Sequence, residues 1–179
     1  MSAARILFAA AIAAALPLSA AAAGGKVYTD AEILGVVAAA NRGELDAAAL
    51  ALEKAQVFGV RRFAERMRKE HGDAQRQIAD AAAVAGLAPA DSALSASLTK
   101  HASDEAGQLR YLKGDEFDGP YVDAQVSDHE TLYRLIDHDL LPDAKDPSVA
   151  ALLRSLRPIV AHHLSMARGL QSEFARPKR

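Results

Sequence analysis

Between Val57 and Ala85 the apolar residues Val60, Phe63, Ala64, Met67, Ala74, Ile78 and Ala81 recur in steps of three and four, while Arg61, Arg62, Glu65, Arg68, Lys69, Asp73 and Arg76 fall on the other sides. That period turns one face of a helix toward a core and the other toward water. A pattern kept for about eight turns belongs to a helix, not a strand. Gly86 follows as a C-cap and Pro89 lies just beyond it. His71 stands on the apolar face, where the pattern calls for a hydrophobe. A helix this long must bury its stripe against other helices, so the chain is constrained to a helical bundle.

Further helices complete the bundle. One begins at Thr29, where Thr29-Asp30-Ala31-Glu32 has the form of a capping box, and carries Ile33, Val37, Ala40, Glu44, Ala47 and Leu50 or Ala51 to about Lys54. A break falls around Ala55 to Gly59. Asp91-Ser92 caps a less regular helix with Leu94, Leu98, Leu109 and Leu112, interrupted by the polar run Lys100 to Gly107 and expected outside the main bundle. The next starts at Phe117-Asp118-Gly119-Pro120, with Asp118 as its cap and Pro120 in its first turn. Val122, Gln125, Val126, His129, Leu132, Tyr133 and Ile136 form its inward stripe, and Leu141-Pro142 ends it. The last, from about Ser148 to Phe174, carries Val149, Leu152, Leu153, Leu156, Ile159 or Val160, His163, Ala167 and Leu170. Pro158 inside it predicts a kink one turn before His163.

The connections set the topology. The first two long helices are joined by a short break, as are the last two, so each pair is an antiparallel hairpin. About 30 residues separate the hairpins, the long crossover that distinguishes a ferritin-like four-helix bundle from a simple up-down bundle. The fold class is therefore all-α, with the bundle occupying residues 29–174. Residues 1–23 read differently: a basic start at Arg5, an apolar run from Ile6 to Leu18 too short to span a bilayer, then small residues ending in an Ala-x-Ala site. That is a secretory signal peptide, cleaved after Ala22 or Ala23, and it places the mature chain in the periplasm. No later stretch is apolar enough to cross a membrane. An exported chain without cysteine has no disulfides and is held by packing alone.

Once Arg5 is removed with the leader, acids outnumber bases by three, which leaves no basic excess to suggest nucleic acid. Only the tail Arg176-Pro177-Lys178-Arg179 is locally positive. Neither a Gly-rich phosphate loop, a Gly-x-Ser-x-Gly elbow nor a glycosidase-type carboxylate pair is present, and no catalytic residue is assigned. The signal that remains is four polar residues on apolar stripes: Glu44, His71, His129 and His163. Each lies within about three residues, roughly 5 Å, of its helix midpoint, and midpoints share one layer of a bundle whatever the helix directions. Three imidazoles and a carboxylate are the donor set of one transition metal ion, zinc, iron or copper. The competing expectation is a buried hydrogen-bond network in a cell-envelope interaction module, whose partner surface would be the crossover from Leu87 to Gly114. A carboxylate-bridged di-iron centre requires a glutamate three residues before each of two histidines, but Arg68, Val126 and Val160 hold those places. His101, His138 and His162 fall off the stripes and are expected at the surface.

The segment from Glu44-Leu45 to Ala55, Phe63-Ala64-Glu65-Arg66-Met67 with His71, Phe117-Asp118 with Tyr121 and His129, and Pro158 with His163-Leu164 occur in an order and spacing that resemble a family of exported bacterial proteins, domain of unknown function 4142. Its members are often labelled membrane or outer membrane proteins, a label the signal peptide accounts for. The resemblance runs from about Thr29 to Phe174. It implies a ferritin-like fold and export, and it supplies no activity.

Overall fold

A computed structural model describes residues 26–175; the expected signal peptide and the basic tail lie outside them. Four long helices, α1 (Asp30–Lys54), α2 (Phe58–Ala85), α4 (Asp115–Leu135) and α6 (Pro147–Phe174), form the bundle. Helix α3 (Ala93–Tyr111) lies in the crossover, and a π-helical turn (Ile136–Leu140) and a single turn, α5 (Leu141–Asp143), finish the α4 arm. The hairpins α1–α2 and α4–α6 pack together mainly through α2 and α6. The fold is thus the all-helical, two-hairpin bundle expected from the connection lengths.

Local signals explain most helix ends. The Thr29 hydroxyl accepts from the Glu32 amide while Glu32 accepts from the Thr29 amide, closing the capping box. Gly86 ends α2 in the left-handed conformation, with φ of 65°. Asp146 caps α6 through the amides of Ser148 and Val149.

Four readings need correction. Helix α3 runs unbroken through Lys100 to Gly107, because its polar residues line a side that α1 and α4 do not fully cover. Helix α4 begins at Asp115, not Phe117, so Pro120 lies beyond its first turn. Asp118 caps a different helix. Fully buried, its carboxylate accepts from the amides of Gln56 at 3.1 Å and Val57 at 2.8 Å, at the start of α2. Helix α1 presents no single stripe: every residue from Ile33 to Ala39 is buried. A helix that is apolar all round is one covered all round. Here α2, α3 and the segment at Ala90 supply the cover, Ala90 donating its amide to the Ala31 carbonyl at 2.8 Å. Pro158 sits on the solvent face of a continuous α6. The Arg154 carbonyl that it leaves without an N–H belongs to an exposed residue and can be hydrated.

The apolar interior is split in two. One core gathers Ile33, Leu34, Ile78, Ile136, Leu140 and Leu153 at the end near the π turn. The other gathers Ala48, Val60, Phe63, Met67, Phe117 and Tyr121 at the far end. Between them lies a buried polar layer of Asn41, Glu44, His71, Gln125, His129 and His163.

Gly35 faces the Ala90 carbonyl so closely that an added Cβ would overlap its oxygen. Gly35→Ala should therefore push the crossover off α1 and destabilise the fold by about 2–3 kcal/mol, the cost of overpacking a close contact. A urea midpoint unchanged from wild type would contradict this packing.

Candidate metal centre

The three histidines come from three helices, His71 from α2, His129 from α4 and His163 from α6, and all are at most 5 % exposed. Their ring centroids are 5.2 Å apart for His71–His163 and His129–His163, and 5.8 Å for His71–His129. One potential ligand atom from each lies within 4.8 Å of the others. The layer predicted from helix midpoints thus gathers three of its four polar residues into one cluster.

Each ring binds a neighbour through one nitrogen. His129 Nδ1 is 2.9 Å from the Gln125 carbonyl oxygen, which only accepts, so Nδ1 carries the proton. His163 Nε2 donates to Glu70 Oε2 at 2.7 Å. His71 Nδ1 meets Asn41 Oδ1 at 2.9 Å. The Asn41 amide is oriented by its NH2, which donates to the His71 carbonyl and to Gln75 Oε1, each at 3.1 Å, so its oxygen must accept from the ring. The tautomers follow: lone pairs remain on His71 Nε2, His129 Nε2 and His163 Nδ1. These three atoms are buried without a protein hydrogen-bond partner.

Burial keeps the rings neutral. It holds His71 well below the ordinary histidine range, helped by His129 and His163. It lowers His129 to about 4 and His163 to about 4, the latter against the opposing pull of the Glu70 hydrogen bond. Three buried lone pairs therefore face one another without a protein donor. A water can donate only two hydrogens, so a single water leaves at least one of the three unsatisfied.

Glu44 belongs to the layer but not to the convergence. Its Oε2 accepts from Gln125 Nε2 at 3.0 Å, and its Oε1 stands 3.7 Å from His129 Nδ1, on the edge of the ring opposite Nε2. Burial, reinforced by the negative charge of Asp128, pushes its carboxyl up to about 8. His101, expected at the surface, is instead partly buried, with Nε2 2.9 Å from Asp128 Oδ1 and 3.7 Å from Glu105 Oε2. His138 and His162 are exposed as expected. Tyr121 is fully buried, stacked on Phe117 at 5.6 Å. Asn41 and Glu70, which orient two of the rings, were not on any expected stripe. Asn41 lies one turn before Glu44, and that adjacency was the available signal.

These shifts oppose one another in sign. The native histidines bind fewer protons than the unfolded chain, so they withdraw stability as pH falls from about 6.5 through 4. Glu44 keeps a proton that the unfolded chain has already released, so it withdraws stability as pH rises from about 4.5 through 8. Urea midpoints of the metal-free protein should peak between about pH 6 and 7, and Glu44→Gln should flatten the alkaline side. A midpoint independent of pH from 4 to 8 would contradict the burial of these groups.

Among the described residues, no helix is long and apolar enough to cross a membrane. The fold is similar to the crystal structure of a DUF305 fragment from Deinococcus radiodurans, with a TM-score of 0.67 and 19 % identity, over 80 % of this chain and 95 % of that one. At that identity the likeness shows a shared helical fold. No curated protein matches the chain. The family model for a domain of unknown function, DUF4142, matches residues 15–170, and the chain belongs to that family.

Proposed function

We propose that the protein binds one transition metal ion in the periplasm, on His71 Nε2, His129 Nε2 and His163 Nδ1. The observation that carries this reading is the convergence of three buried, unpartnered lone pairs. An ion equidistant from three atoms at most 4.8 Å apart would lie within about 2.8 Å of each, so each ring needs to close by no more than about 0.7 Å to reach an ordinary metal–imidazole bond. Bundle cores tolerate such adjustments through rotation of side chains on facing helices.

The surroundings support the same reading. Metal-bound histidines commonly donate their second N–H to a carboxylate or a carbonyl, and Glu70, the Gln125 carbonyl and Asn41 fill those roles here. Neutral imidazoles suit zinc, copper or ferrous iron, and a net neutral donor set leaves the ion its charge. With three protein ligands the ion retains an open position for water or an exchangeable ligand. The role best matched to that chemistry is to hold, buffer or pass on the ion. A satisfied hydrogen-bond network, the competing expectation, does not account for the three facing lone pairs.

Protein taken from the periplasmic fraction, with its chain beginning at Ala23 or Gly24, should contain metal and lose thermal stability on treatment with a chelator. Zn2+ titrated into the metal-free protein should bind at this centre. His129→Ala should abolish that event, and Glu70→Gln should weaken it by roughly 10- to 100-fold. Absence of saturable binding, or binding that His129→Ala leaves intact, would overturn the proposal.

A further inference from the structure

A second cluster occupies the other side of α4. His101 and Glu105 lie one turn apart on α3 and face Asp128 on α4, and one ligand atom from each lies within 4.8 Å of the others. The side chains are only 14–21 % exposed. They line a cavity of about 40 Å³ between α1, α3 and α4, larger than one water requires. Close packing of α3 on α1 shapes this space: a Cβ at Gly43, on the cavity wall, would stand 2.8 Å from the Ala102 Cβ.

Glu44 provides an independent observation. It lines the same cavity from α1 and is 6 % exposed. Its Oε2 is held by Gln125, but Oε1 accepts no hydrogen bond among the described residues, the nearest ring nitrogen being 3.7 Å away with its proton directed to a carbonyl. Three carboxyl groups thus line one partly enclosed cavity with a single imidazole. No lysine or arginine lines it. Carboxyl groups brought this close out of water either keep protons or take a positive partner; burial and neighbouring charge push Glu44 and Glu105 up to about 8, so an ion bound here would displace their protons.

We propose that this cavity is a second cation site, taking a divalent ion of the harder, oxygen-preferring kind on His101 Nε2 and the carboxylates of Glu105 and Asp128, with the Glu44 carboxyl beside them on the cavity wall. Its donor set favours Mn2+, where the histidine cluster favours softer ions. The inference does not depend on the histidine cluster binding metal.

Mn2+ alone is the probe, with free ion followed by electron paramagnetic resonance. The folded wild-type protein should bind one equivalent saturably. Glu105→Gln and Asp128→Asn should each weaken that binding at least about tenfold, since losing a ligand costs no less than losing an outer partner. His129→Ala should leave it within about threefold, which separates this site from the histidine cluster. The bound Mn2+ of the wild type should also show electron–nuclear coupling to an imidazole nitrogen, lost in His101→Gln; this reading stands even if the carboxylate variants fail to fold. No saturable Mn2+ binding by the wild type, no nitrogen coupling, or binding that survives the double substitution of Glu105 and Asp128 would overturn the proposal.

Discussion

Each imidazole at the middle of the bundle commits one nitrogen to a neighbour, and this fixes where the other nitrogen points. The Gln125 carbonyl, the Glu70 carboxylate and the Asn41 amide lie outside the cluster, so the free lone pairs turn inward. The layer separates two apolar cores that would pack continuously if these positions were leucine. Buried polar groups without partners cost on the order of 1–3 kcal/mol each. Three such groups facing one another are a substantial burden on a fold without disulfides. An ion at their centre, as proposed, would convert that burden into a binding site.

Helix α1 ties this layer to the rest of the molecule. It is buried on several sides by α2, α3 and the Ala90 segment, and it carries Asn41 and Glu44 into the layer one turn apart. Asn41 orients His71. Glu44 sits between His129 and the cavity lined by His101, Glu105 and Asp128. The adjacent residues Asp128 and His129 project to different sides of α4, so one helix serves both clusters. The bundle thus places a nitrogen-rich centre and a carboxylate-rich one on either side of a shared wall.

The long helices were legible because their stripes hold a helical period over many turns and their ends carry recognisable caps, as at Thr29 and Gly86. The convergence of His71, His129 and His163 was legible for a geometric reason: mid-helix residues on inward faces meet in any bundle. What the stripes could not show was which side of a ring its partner occupies. Glu44 therefore read as equivalent to the histidines, although it approaches His129 from the opposite edge. The second cluster was hidden because α3 reads as polar, and two of its polar residues, His101 and Glu105, turn out to be partly buried facing α4. Asp118 misled for a related reason: a capping residue has no signature that tells its own helix from a neighbour's. The run from Ile33 to Ala39, continuous and apolar, did carry the sign that α1 is enclosed, since a one-sided helix would have been interrupted by polar residues.

The central claim is that three lone pairs face one another. Long-range proton–nitrogen correlation spectra of the metal-free protein near pH 7 read the tautomer of each histidine directly. The account predicts neutral rings, with His71 and His129 protonated on Nδ1 and His163 on Nε2, and predicts that one equivalent of Zn2+ shifts the three unprotonated nitrogens together. A protonated imidazolium in the cluster, the opposite tautomers, or unprotonated nitrogens that ignore the ion would contradict it.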